Sequence, residues 1–199
     1  MMRVSKILAV LSTLSVLAGC ATAEQPAPES RMSPSARSAQ SATSSQSTVV
    51  GNQSVPVPAA ASMVCGPEIG ESLQRQLRLG HEPEGASSWD GKRFECTFRL
   101  PDGPLVLVVL AHGSQAAAAQ SLATQRSQLA GARPIIGLAA FGLPAAQADS
   151  GVVLFARDAF TLRVDSTWMT PPIGPFERSR RDFAYSIAAD VIACWQEHH

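Results

Sequence analysis

Between Lys92 and Leu100 the chain alternates residue by residue. Phe94, Cys96, Phe98 and Leu100 fall on one side; Arg93, Glu95, Thr97 and Arg99 fall on the other. A period of two predicts a strand with one core face and one wet face. Pro101-Asp102-Gly103 is turn chemistry, and Leu105 to Leu110 then reads Leu-Val-Leu-Val-Val-Leu. That run predicts a strand buried on both faces, or central in its sheet, paired with the first as a hairpin. A second hairpin is predicted from Gly151 to Arg157, a turn at Asp158, and Ala159 to Ser166, where Phe160, Leu162 and Val164 alternate with Thr161, Arg163 and Asp165.

Three stretches carry the helical period instead. Ile69, Leu73 and Leu77 recur every four residues between Pro67, suited to the first helical position, and Gly80, suited to the stop. Gln115 to Ala130 is rich in Ala, Gln and Leu, with Ser114 as N-cap and Gly131 as terminator. Phe183, Ile187, Val191 and Cys194 or Trp195 define a closing helix. Residues 81–88, with His81, Pro83, Gly85 and Ser87-Ser88, read as a polar loop. Pro134 to Pro144 reads as a Gly-punctuated apolar loop or short strand. The order α-ββ-α-ββ-α predicts a single α+β domain: an antiparallel sheet of about four to five strands with helices on one face.

Upstream the pattern changes character. Ala21 to Ser62 contains no Phe, Trp, Tyr, Ile or Leu. Such a segment cannot bury enough apolar surface to offset the entropy of ordering, so it is expected to be a disordered tether with a reach of roughly 35 Å. Asn52-Gln53-Ser54 is formally a glycosylation sequon and reads as chance. Before the tether an eleven-residue apolar run, Ile7 to Leu17, follows Arg3 and Lys6. This is secretory signal chemistry, and the run falls short of the roughly 20 apolar residues that span a bilayer.

Leu17-Ala18-Gly19-Cys20, at the end of that run, resembles the lipobox of bacterial lipoproteins. The resemblance implies that residues 1–19 are removed and that Cys20 carries a diacylglycerol and becomes the N-terminus. It leaves residues 20–62 as lipidated tether and residues 63–199 as the folded domain. The protein is then expected outside the cytoplasm, held by lipid to the outer face of the cell membrane, or to the outer membrane of a Gram-negative source.

Charge narrows the partners. Residues 63–199 carry 12 Lys plus Arg against 14 Asp plus Glu, so no basic face for nucleic acid is evident. Besides Cys20 there are three cysteines, Cys65, Cys96 and Cys194, which allow one disulfide and one free thiol in an oxidising compartment. A bridge from the start of a helix to an adjacent strand closes easily, which favours Cys65 with Cys96. Cys65 with Cys194, tying the two ends of the domain together, is the rival. No CxxC or HxxxH spacing suggests a metal site, and no cofactor motif occurs.

His112-Gly113-Ser114 at a strand end invites a hydrolase reading, with His as base and Ser as nucleophile. A serine at an N-cap, however, directs its oxygen to backbone amides, and no Gly-x-Ser-x-Gly elbow is present. No catalytic residue is therefore assigned. Trp89, Trp168 and Trp195 are candidate ligand aromatics. Trp195 fits a helix stripe, and Trp168, in a loop with Met169 and three prolines, is expected to cover the sheet edge. Arg178, Arg180 and Arg181, set among Glu177 and Asp182, read as a solvated face.

The lipobox, the Ser/Ala/Pro tether, Cys65 before a helix, Phe94-Glu95-Cys96-Thr97-Phe98 in a strand and the closing Cys194-Trp195 helix together resemble small secreted lipoproteins of actinobacteria. That resemblance implies a small α/β domain without assigned catalytic residues. The function expected is a non-catalytic binding or interaction module, engaging a protein or a small apolar ligand. A regulatory or sensory lipoprotein acting on a membrane partner, and an envelope hydrolase, are the alternatives.

Overall fold

A computed structural model describes residues 55–197; Cys20, the lipobox, most of the expected tether, His198 and His199 lie outside the described residues. The chain runs through α1 (Ala59–Ser62), a 3-10 turn (Met63–Cys65), α2 (Pro67–Leu77), β1 (Gly85–Trp89), β2 (Arg93–Leu100), β3 (Gly103–Ala111) and α3 (Gln115–Gln128). It continues through β4 (Arg133–Pro134), a 3-10 turn (Gly137–Ala140), β5 (Ala145–Ala148), β6 (Val152–Arg157), β7 (Phe160–Asp165) and α4 (Arg180–Glu197). All seven strands join one antiparallel sheet in the order β1-β2-β3-β7-β6-β5-β4.

The α+β class and the antiparallel sheet are as the pattern predicts, but seven strands replace the expected four to five. The additional ones are β1, β4 and β5, with sequences Gly-Ala-Ser-Ser-Trp, Arg-Pro and Ala-Ala-Gln-Ala. None carries an alternating run of branched or aromatic residues. Pairing with β2 and β6 extends β1 and β5, and β5 in turn holds β4; their own side chains do not.

Nor do the helices share one face. Phe94, Cys96, Phe98, Leu105, Leu107, Val109, Val153, Phe155, Leu162 and Val164 point into one core with Ile69, Leu73 and Leu77 of α2 and with Phe183, Ile187, Val191, Ile192 and Trp195 of α4. The opposite face holds a smaller cluster, Ala146, Val152, Leu154 and Ala156 under Ala118 and Leu122 of α3. Val152 to Ala156 of β6 are buried at every position, and an apolar strand of that kind needs cover on both sides.

The domain also starts earlier than expected. Ala60 and Ala61, which composition places in the tether, are buried, and the Trp195 indole donates to the Ala60 carbonyl at 2.8 Å. Small residues let this segment lie tightly against α4. α2 ends at Arg78, which adopts the left-handed conformation expected of Gly80. Between α2 and α4, Ser72 and Gln76 donate to the Asp190 carboxylate at 2.5 and 2.8 Å. Arg178 bonds Gln76 and Ser186 in the same seam, so the polar groups between the two helices satisfy one another.

Cys65 and Cys96 form the disulfide, with Cα atoms 5.6 Å apart across 31 residues. β1 begins directly over it. A Cβ added to Gly85 would stand 2.5 and 2.6 Å from the two sulfurs, so only glycine lets the edge strand pass there. Gly85→Ala is expected to lower stability by about 1–3 kcal/mol through overpacking. Cys65→Ala with Cys96→Ala is expected to cost about 3–4 kcal/mol through the 31-residue loop it opens. Combined, the losses should total less than their sum, because the clash goes with the sulfurs. Strict additivity in denaturant unfolding would refute that packing account.

Candidate functional site

α3 covers only part of its face. Ala118 and Leu122 are its buried residues, and it packs on β6 and β7, leaving the outer side of β3 and β2 uncovered. The register sets the floor of the resulting groove. Val106 lies opposite Thr97 and Asp165, Val108 opposite Glu95 and Arg163, and Leu110 opposite Arg93 and Thr161. An apolar stripe thus runs along β3 between polar residues of β2 and β7. Arg93, Gln125 of α3, Arg163, Asp165 and Trp168 complete a hollow of about 420 Å³.

Each flank is neutralised internally. Arg93 pairs with Glu95 at 2.5 Å, and Arg163 with Asp165 at 2.6 Å. Burial pushes the Asp165 carboxyl up, but hydrogen bonds from Thr167 and Arg163 outweigh it and hold the group below its ordinary value. The groove therefore presents two planar ion pairs and an apolar floor with no net charge.

Trp168 stands at the Val106 end, 74% exposed. Its neighbours hold the loop. Met169 is fully buried, its carbonyl accepts from Arg180 Nε at 2.6 Å, and the Thr170 amide donates to the Asp102 carbonyl at 2.6 Å. Asp102 also accepts from the Gly174 amide at 3.0 Å. Gly103, at φ +120°, packs against the Trp168 carbonyl where any Cβ would sit 2.5 Å away. The β2–β3 turn thus fixes the tryptophan at the groove mouth. It does not cover the sheet edge as expected.

Other residues singled out from sequence are dispersed. His112 Nε2 lies 3.2 Å from the Thr161 hydroxyl, and burial, with Lys92 nearby, lowers its pKa. Ser114 Oγ accepts from the Ala117 amide at 3.2 Å as a helix cap. Trp89 donates to the Val55 carbonyl at 2.8 Å, and Trp195 is core. Cys194 is a free, half-buried thiol whose pKa is raised by burial and by Glu68, Glu197 and Asp190; the rival bridge to Cys65 does not form. Arg178, Arg180 and Arg181, expected as one solvated face, are each half-buried and separately engaged, with Gln76 and Ser186, with the Met169 carbonyl, and with Asp149 and Asp182.

Trp168 apart, the groove residues do not stand out as a site in the sequence. Their signal was present in a mismatch: an all-apolar β3 flanked by strands whose outward residues are Arg, Glu, Thr and Asp. The run was expected to be buried on both faces or central in its sheet; β3 is central, between β2 and β7, and Val106 and Leu110 are half-exposed because α3 stops short. Among the described residues, no group of three or more His, Cys, Asp or Glu is placed to hold a metal ion, and no helix is long and apolar enough to cross a membrane.

The depressed Asp165 pKa gives a signed pH dependence. Its contribution is complete above the unfolded carboxyl pKa of about 3.9 and is lost as pH falls through the lower folded value. The stability difference between wild type and Asp165→Asn should therefore be constant from about pH 5 to 7 and shrink below about pH 4. Urea titrations showing the same difference at about pH 2.5 and 6 would contradict it. No family model, no curated protein and no solved structure matches this chain.

Proposed function

We propose that this chain is a cell-envelope lipoprotein, anchored through a lipid on Cys20, whose domain is a non-catalytic binding module. The observation that carries the reading is the groove on β3: an apolar stripe, an exposed indole and two self-neutralised ion pairs, prebuilt on the rigid centre of a sheet. Small-ligand sites are concave and mostly apolar with a few fixed polar groups. A volume of about 420 Å³ is within that range. Because both guanidinium groups already have carboxylate partners, the groove favours an uncharged ligand with an apolar body and polar edges over a free anion or cation.

A protein partner gripping this face by strand addition is disfavoured, since β2, β3 and β7 already have neighbours on both sides. A non-catalytic role is supported by His112 and Ser114, whose hydrogen bonds go to a threonine and to a helix cap. The lipid anchor rests on the lipobox at Leu17 to Cys20.

The uncharged dye N-phenyl-1-naphthylamine serves as probe for the groove. Wild-type protein is expected to enhance its fluorescence saturably. Val108→Asp should weaken binding about tenfold or more by placing a charge on the apolar floor, and Trp168→Ala should weaken it several-fold. Equal binding by all three proteins would sink the assignment of the groove. His112→Ala is expected to leave dye binding unchanged, and a loss there as large as for Val108→Asp would place the site elsewhere.

A further inference from the structure

The largest exposed aliphatic side chains of the domain stand together on one loop. Between β4 and β5, Ile136 is 77% exposed, Leu138 is 96% exposed and Phe141 is 40% exposed. These side chains are not exposed for want of order. Ile135 and Ala140 on either side of the tip are buried. Gly137 to Ala140 form a 3-10 turn, and the Phe141 and Leu143 amides donate to the Leu138 and Ala140 carbonyls at 3.1 and 2.8 Å. The Tyr185 hydroxyl donates to the Ala139 carbonyl at 2.9 Å, and the Phe141 ring lies 6.1 Å from that of Phe155. Gly137 and Gly142 sit at φ +66° and +72° with nothing within 4 Å of where a Cβ would stand. The loop is a braced projection with its apolar side chains held outward.

We propose that this loop dips into the bilayer to which the chain is anchored, Ile136 and Leu138 entering the acyl boundary. The proposal rests on the lipid-anchor reading above. Shape and area select the occupant. A stable protein interface needs roughly 800 Å² from each partner and a complementary surface. A partner protein or a second copy would have to build that area around a tip whose apolar content is two aliphatic side chains and one aromatic edge. A fluid membrane interface needs neither a large area nor a matching shape.

The base of the loop suits the headgroup level. Arg133 and Arg181 both pair with Asp149, at 2.9 and 2.7 Å, and Arg181 also pairs with Asp182 at 3.0 Å. Arginine stems and a tyrosine ring are the side chains that bridge apolar and wet layers. Two guanidinium groups against two carboxylates leave this rim without net charge, so docking is apolar and does not require anionic lipid.

Chain length permits the contact. The described domain begins at Val55, whose carbonyl binds Trp89 of edge strand β1. The loop hangs from β4 at the opposite edge, about 29 Å away at roughly 4.8 Å per strand. Residues 21–54 can span up to about 110 Å. A lipid at Cys20 therefore leaves the far edge free to turn toward the same membrane, and it supplies the high local concentration that a small apolar tip lacks in solution.

The test couples residues 20–199, carrying Cys194→Ser, through the Cys20 thiol to a maleimide-headgroup lipid in phosphatidylcholine vesicles. Amide hydrogen exchange is then compared with uncoupled protein mixed with the same vesicles. Amides of residues 136–141 are expected to slow about fivefold or more on coupling, with the rest of the domain unchanged. Ile136→Ser with Leu138→Ser, both exposed positions, should abolish the effect while leaving the thermal midpoint unchanged. Identical exchange in coupled and uncoupled protein would overturn the proposal. So would protection that appears only with anionic lipid, which would assign the contact to the arginines, or protection that grows with protein concentration without vesicles, which would assign it to self-association. Cys20 recovered without lipid from cells would remove the native anchor but not alter the answer of this chemically tethered measurement.

Discussion

The antiparallel pairing of β3 with β7 is the constraint on which the rest depends. It joins residues 49 to 59 positions apart, from Ala111 with Phe160 to Val106 with Asp165. On either side of it the sheet is built from short local connections, β1-β2-β3 in one direction and β7-β6-β5-β4 in the other. Closing that long connection costs loop entropy before any contact compensates. The return is a single apolar face wide enough for α2 and α4 to cover together, which neither half would offer alone.

That same pairing creates the groove. Wherever β3 meets β7, an outward Val or Leu of β3 is set beside an outward Thr, Arg or Asp of β7. α3 follows β3 directly and packs back over β6 and β7, where Val152, Leu154 and Ala156 supply an apolar surface. Its exposed positions are dominated by Ala, Gln, Thr and Ser, and it has little apolar area with which to extend further. The face of β3 is left half-open because the available helix is narrow and the better apolar surface lies on the other side. The ion pairs Arg93–Glu95 and Arg163–Asp165 then keep the opening from carrying charge.

The two proposed contact regions sit at different places in one frame. The groove lies near the middle of the sheet with Trp168 braced at its mouth by the Pro101-Asp102-Gly103 turn. The Ile136–Leu138 loop hangs from the β4 edge. An anchored protein using both would turn that edge toward lipid while the groove remains on a face of the sheet, open to whatever occupies the space beside the membrane.

Local period alone was enough for the strongest elements. The alternation of Phe94 to Leu100 and the stripes Ile69-Leu73-Leu77 and Phe183-Ile187-Val191 each carry their own burial pattern and fold as that pattern reads, and the hairpin about Asp158 forms where it reads although Thr161, on its polar side, is buried. Cys65 before a helix and Cys96 on an inward strand position likewise favoured the bridge that forms over its rival to Cys194. What local pattern could not convey was anything imposed from outside a segment. β1, β4 and β5 are strands because neighbours hydrogen-bond them, Ala60 and Ala61 are core because β3 and Trp195 of α4 lie against them, and Trp168 is exposed while Met169 beside it is buried. The groove belongs to the same class: its residues come from three strands, one helix and the Trp168 loop, and its existence depends on how far α3 reaches. Side-chain period records which face of a segment is apolar, whereas the width of a covering helix and the partner of an edge strand are set between segments distant in the chain.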